Sequence, residues 1–214
     1  MLGTKTDNKN IELIKLLMQL RQHIDIERII GLNVDALNDS RISKNLMGYF
    51  QKTAQESLSM YFCKVFEESQ RNELNSIPGI INSLPSSTAI ADEKKSEFSY
   101  FGMKYGNSKD PIETKSYLKE TFDLFTDRHS ESLERLKTFR DKIGAHSDSN
   151  VNIKNLPSHA EFETLFNFAY DFYALICRTM IGNSPAVVPR NAGTGFIRLL
   201  TLLGVENPIR EFDQ

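Results

Sequence analysis

The sequence predicts an all-α protein, and three observations carry that prediction. Apolar residues recur at steps of three and four along almost the whole chain. Alternation with period two is confined to the short stretch Ala186-Val187-Val188. Helix-start and helix-stop signals bracket the apolar runs, including Ser158 with Glu161 three residues later and Gly204 after a terminal apolar run.

Taken in chain order, Leu13, Leu16, Leu17, Leu20 and Ile24 fall on one face and predict a first helix over residues 10–30. Met47, Phe50, Ala54, Leu58, Tyr61, Val65 and Phe66 predict a second. The stretch from Ile77 to Asp92, with Leu84-Pro85-Ser86-Ser87, reads as a surface loop. Phe98-Ser99-Tyr100-Phe101 before Gly102 and Gly106 reads as a short helix. Asp110-Pro111-Ile112-Glu113 reads as a helix start, with Asp as the cap, Pro in the first turn and Glu at the third position. From there Leu118, Phe122, Phe125, His129, Leu133, Leu136 and Ile143 keep to one stripe. A run that long exceeds the usual globular helix, so a break is expected near Thr126 to Ser130. Phe162, Leu165, Phe166, Ala169, Phe172, Tyr173, Ile176 and Met180 predict a core helix that opens on the Ser158/Glu161 capping box. A second loop is expected from Gly182 to Gly195, and a last helix from Phe196 to Leu203. The expectation is a single domain over residues 1–214 with about five to six helices in an antiparallel bundle. Its core spans roughly 40–204, with the 10–30 helix packed on it.

Composition narrows the function classes. With 214 residues, 40% hydrophobic, 25% charged and a formal net charge of −2, the chain reads as an ordinary soluble protein. That balance argues against broad electrostatic capture of nucleic acid, but it leaves room for a small site where a few cations hold one phosphate. Cys63 and Cys177 lie in apolar helical runs and read as reduced core residues. No apolar run approaches the length of a membrane span, and the polar start MLGTKTDNKN is unlike a secretory signal, so a cytoplasmic location is expected. Gly193-Thr194-Gly195 lacks the Lys and the preceding strand of a phosphate-binding loop. No metal-ligand cluster is visible, and no cofactor is expected. His129 reads as a packed core residue, while His23 and His159 read as solvated helix residues without a role. The aromatic residues from Phe168 to Tyr173 are spaced for core packing. The cations Arg128, Arg135, Lys137, Arg140 and Lys142 are offset by Glu131, Glu134 and Asp141, which describes a solvated helix face as well as an RNA track.

One segment departs from this pattern. Arg140 lies on the core-facing stripe, and an arginine there requires an anion, a carboxylate or a solvent-filled cleft. Asp141 is adjacent but is expected to point elsewhere on the helix. His146, six residues on, is rotated by about 240° from Arg140 on an ideal helix. Gly144 terminates helices well, so a bend there, or pairing of sites across a two-fold axis, is needed to bring imidazole and guanidinium together. Such a pair suits phosphodiester cleavage: the guanidinium clamps the phosphate and stabilises developing charge, and imidazole moves a proton near neutral pH. With RNA the ribose 2′-hydroxyl serves as nucleophile.

The wording Arg140-Asp141-Lys142-x-x-Ala145-His146-x-Asp148 resembles the R-x4-6-H motif of the HEPN superfamily, most closely its abortive-infection branch. The resemblance implies a helical-bundle core, Arg140 and His146 as the catalytic pair, and Asp141, Lys142 and Asp148 in support. It also implies a homodimer with two motifs in one cleft, acting as a metal-independent ribonuclease in phage defence or with an antitoxin partner. Some family toxins carry a Tyr two residues after the His as a target for nucleotide attachment; Asp148 stands there in this chain, which argues against silencing by that route. Two other readings remain open: a non-catalytic module that holds a nucleotide or partner protein in a dimer cleft, and a scaffold in which Arg140 is locked in an internal salt bridge.

Overall fold

The structure, a computed structural model, describes residues 4–39, 44–68, 75–86, 88–145, 156–189 and 191–209. Among these residues all regular structure is helical, apart from one isolated antiparallel bridge between Ala89 and Glu113. The segments are α1 (Thr4–Leu32), α2 (Val34–Asp39), α3 (Lys44–Phe66), α4 (Ile77–Ser83), α5 (Asp92–Tyr105), α6 (Thr114–Arg128), α7 (Ser130–Ala145), α8 (His159–Ile176) and α9 (Asn191–Leu202). A π-helical turn, Cys177–Ile181, extends α8.

α1 is the organising element. It packs against α3, α8, α9 and α4, so its sides face protein in several directions and its buried residues exceed a single stripe. Leu13, Leu17, Leu20 and Ile24 enter the main core, whereas Ile29 and Ile30 enter a smaller one with Leu37, Met47, Phe196, Ile197, Leu200 and Val205. The main core centres on aromatic rings. Phe168 of α8 stacks on Phe125 of α6 with centroids 3.9 Å apart and planes at 7°, and Tyr105 meets Phe168 edge-on at 4.7 Å. The aromatic run of α8 is therefore core, as its spacing predicts, and both cysteines are buried free thiols.

Several helix ends agree with the sequence signals. Ser158 Oγ accepts from the Glu161 backbone N–H while Glu161 Oε2 accepts from the Ser158 N–H, the reciprocal capping box. Gly204 sits at φ 89° behind α9, and Val205 N–H bonds back to the Leu200 carbonyl at 3.0 Å. The expected break in the long central run falls at His129, whose φ and ψ of −107° and 19° separate α6 from α7. Just before it, the Thr126 hydroxyl donates to the Phe122 carbonyl at 3.0 Å, a back-bond that bends helices.

Three expectations are corrected. Asp110 to Glu113 is not the first turn of α6: the segment is extended, because Ile90 N–H donates to the Ile112 carbonyl and Thr114 N–H to the Thr88 carbonyl. Glu113 precedes the helix without a side-chain cap. The stretch from Ile77 is not wholly a surface loop, since α4 buries Ile77, Ile80 and Ile81, with Ser76 Oγ accepting from Gly79 N–H. A stripe of two turns is too short to stand out in sequence, and packing together with the Ser76 cap stabilises it. The described chain also holds nine helical segments where five or six were expected, because α2 and α4 are short and the central run divides at His129.

Candidate functional site around Arg140

α7 buries Leu136 and Phe139 and carries Arg140 at its inner edge, with 28% of the Arg140 side chain exposed. α7 packs against α3, whose last residue is Phe66, and the next residue, Glu67, supplies the anion that an arginine in this position requires. Arg140 Nη1 donates a hydrogen bond to Glu67 Oε1. Nε and Nη2 both donate to Asp141 Oδ1, at 2.9 and 2.8 Å. The expectation that Asp141 points away is therefore overturned, because the long guanidinium arm folds along the helix and forks onto the neighbouring carboxylate. The Glu67 hydrogen bond, opposed by partial burial and aided by Asp141, raises the guanidinium pKa above its already high value. Hydrogen bonds to described residues use three of its five N–H groups.

Lys142 is exposed on α7. α7 continues through Gly144 to Ala145, so the helix end comes after the glycine expected to terminate it. His146 and Asp148 lie outside the described residues. The structure thus brings Arg140 and Asp141 together and adds Glu67, which the sequence reading missed. A signal for it exists: a carboxylate at a helix C-terminus meets an unfavourable dipole and is best placed beside a cation. Beneath the cluster, one turn before Glu67, burial pushes the Cys63 thiol up to about 11.

One other cation of the region is committed to structure. Arg135 binds Glu161 of the capping box, and Ser132 donates to the same carboxylate oxygen, which ties α7 to the start of α8. Burial works to raise the Glu161 pKa, but hydrogen bonds from Ser132 and Ser158 and the Arg135 charge bring it down to about 2.

A second charged cluster was not anticipated. Arg21 of α1 is 2% exposed and spans Asp25 on its own helix and Glu163 on α8. His159 joins it, with Nε2 3.4 Å from Glu163 Oε1 and 3.0 Å from Arg28 Nη1, and Nδ1 3.8 Å from Glu27 Oε2. His159 is therefore not a solvated residue without partners: burial would lower its pKa, but Glu163 and Glu27 raise it instead. His23 is likewise half-buried, stacked on Tyr61 at 5.7 Å, and burial lowers its pKa. His129 packs on Phe125 at 4.5 Å but is only half-buried, so it lies at the edge of the core instead of inside it.

Among the described residues no group of three or more His, Cys, Asp or Glu is arranged to hold a metal ion, and no helix is long and apolar enough to cross a membrane. Comparison with protein families, with known proteins and with solved structures finds no match for this chain.

Proposed function

We propose that this chain is a metal-independent endoribonuclease of the HEPN type, working as a cytoplasmic homodimer in a toxin–antitoxin or phage-defence setting. In this reading Arg140 clamps the scissile phosphate and His146 moves the proton as the ribose 2′-hydroxyl attacks; the P–O5′ bond breaks, leaving a 2′,3′-cyclic phosphate on one fragment and a protonated 5′-hydroxyl on the other. Asp141 orients the guanidinium. The observation that carries the reading is Arg140 itself, an arginine on a core-facing stripe, partly exposed, held in one orientation by Glu67 and Asp141, six residues before His146. Preorientation matters because a clamp that is already ordered does not lose side-chain entropy when phosphate arrives.

The test is cleavage of a 5′-labelled single-stranded RNA by the purified chain in the presence of EDTA. Cyclic-phosphate ends are expected, DNA of the same sequence should survive, and Arg140→Ala and His146→Ala should each abolish cutting. Intact RNA, or equal cutting by wild type and His146→Ala, overturns it.

One observation favours a second reading, a non-catalytic binding module. Two carboxylates already share one guanidinium, so the local charge is negative and an incoming phosphate meets competition. Here the cleft holds a partner protein in place of a phosphate, RNA stays intact, and His146→Ala leaves partner binding unchanged.

A further inference from the structure

A cleft of about 200 Å³ opens between α5 and α8, away from the Arg140 cluster. The two helices run antiparallel across it, since Glu97 pairs with Arg178 at one end and Lys104 with Asp171 at the other. Seven residues separate Glu97 from Lys104, about 10 Å of helix. Between the ion pairs lie Phe101 and Leu175 as a floor and Tyr100 as a wall. Tyr100 is 68% exposed, which leaves its ring open to an occupant. The volume lies below the range that encloses drug-sized molecules, which limits an occupant to roughly one ring.

The ends of the cleft differ. Asp171 Oδ2 accepts from both Lys104 Nζ at 2.5 Å and Tyr105 Oη at 2.6 Å, so that corner is closed on itself. Arg178 donates only Nε to Glu97 Oε2, at 2.8 Å, and its Nη1 and Nη2 make no hydrogen bond to any described residue. Those two nitrogens form the fork edge that recognises a planar carboxylate in two parallel hydrogen bonds. An amine is served less well, because each carboxylate in the cleft is already neutralised by a cation.

We propose that this cleft binds a small single-ring carboxylate, with its ring on Phe101 and Leu175 beside Tyr100 and its carboxylate on the free fork of Arg178. The site is independent of the ribonuclease reading. Glu97 stays on Nε and partly neutralises the arginine, so affinity in the millimolar range is expected, about −4 kcal/mol.

Phenylacetate is the probe, titrated into the full ¹⁵N-labelled chain with amide shifts as the readout. Saturable changes confined to residues 96–104 and 171–178 are expected, with none from acetate or benzylamine at equal concentration. Arg178→Gln should weaken phenylacetate about tenfold or more, the value of a charged hydrogen-bond pair. Ser96→Trp, which fills the cleft from its exposed wall and leaves Arg178 in place, should abolish binding; its far-UV circular dichroism should match wild type. The absence of saturable shifts, equal shifts from benzylamine, or unchanged affinity in either variant overturns the proposal.

Discussion

Arg21 and Glu163 form a bidentate pair between α1 and α8: Nη1 donates to Oε2 at 2.8 Å and Nη2 to Oε1 at 2.6 Å, with the guanidinium almost fully buried. Nε donates to Asp25 at 2.8 Å, and the guanidinium also lies 5.1 Å from the centroid of the Phe166 ring. One arginine thus joins the longest helix to the core helix through Glu163, while Asp25 of its own helix takes the third N–H donor.

Removing that arginine takes a buried guanidinium away from both carboxylates. Arg21→Met is expected to lower stability by about 3–5 kcal/mol. Glu163→Gln should cost less, because Asp25 still partners the guanidinium. Urea denaturation of both variants checks the order, and an Arg21→Met loss below that of Glu163→Gln contradicts it.

His159 makes stability depend on pH in a definite direction. Its folded pKa is raised above the ordinary 6.5, so its contribution is fully present below 6.5 and is lost as pH rises through the raised value. Glu161 acts oppositely: its contribution is present above 4.5 and is lost as pH falls toward about 2. His23 and His129, whose folded pKa values are lowered, also oppose acid, with stability falling as pH drops through 6.5. Comparing His159→Gln with wild type isolates the first effect. The variant should lose most stability at pH 6 and least at alkaline pH, as read by thermal melts across pH 5–9.

Two glycines in helices should respond with opposite signs. A Cβ at Gly102 stands 1.9 Å from Tyr117 Oη and 2.8 Å from the Asn107 carbonyl, so Gly102→Ala forces α5 away from α6 and should destabilise by about 1–3 kcal/mol or more. Gly48 lies exposed in α3 with nothing within 4 Å of a new Cβ, and Gly48→Ala should stabilise by about 0.5–1 kcal/mol. Melting temperatures of the two variants provide the check.

Cys63 should be inert in the folded protein. Burial pushes its thiol up to about 11, and thiolate is the reactive form. Iodoacetamide at pH 8 followed by peptide mass spectrometry is expected to leave Cys63 unmodified in the native chain and to alkylate it in urea. Rapid native labelling is the contrary result.

Glu67→Gln tests the competition at Arg140. The pair is partly exposed, so its loss should change stability by less than about 1 kcal/mol. In the ribonuclease reading, Arg140 loses a group that orients it, so binding of a short RNA should weaken several-fold, measurable by fluorescence anisotropy; tighter binding makes Glu67 a competitor of phosphate and favours the second reading.

Helix class and most helix termini were legible because they are local properties. The capping box at Ser158, the left-handed Gly204 and the stripe of α8 each need only residues within a few turns of one another. The extended Asp110–Glu113 segment shows the limit: its residue types suit a helix start, but hydrogen bonds to Thr88 and Ile90 from elsewhere in the chain outweigh them. The candidate site divides in the same way. Arg140 stands out in sequence because a charge interrupts an apolar stripe, and its need for an anion follows from physics alone. That the anion is Glu67, 73 residues away, and that Arg21, Glu163 and His159 gather into one buried cluster, was decided by how α1, α3, α7 and α8 pack. Charge pairing between distant segments leaves no periodic trace, since a single carboxylate at the right place satisfies it.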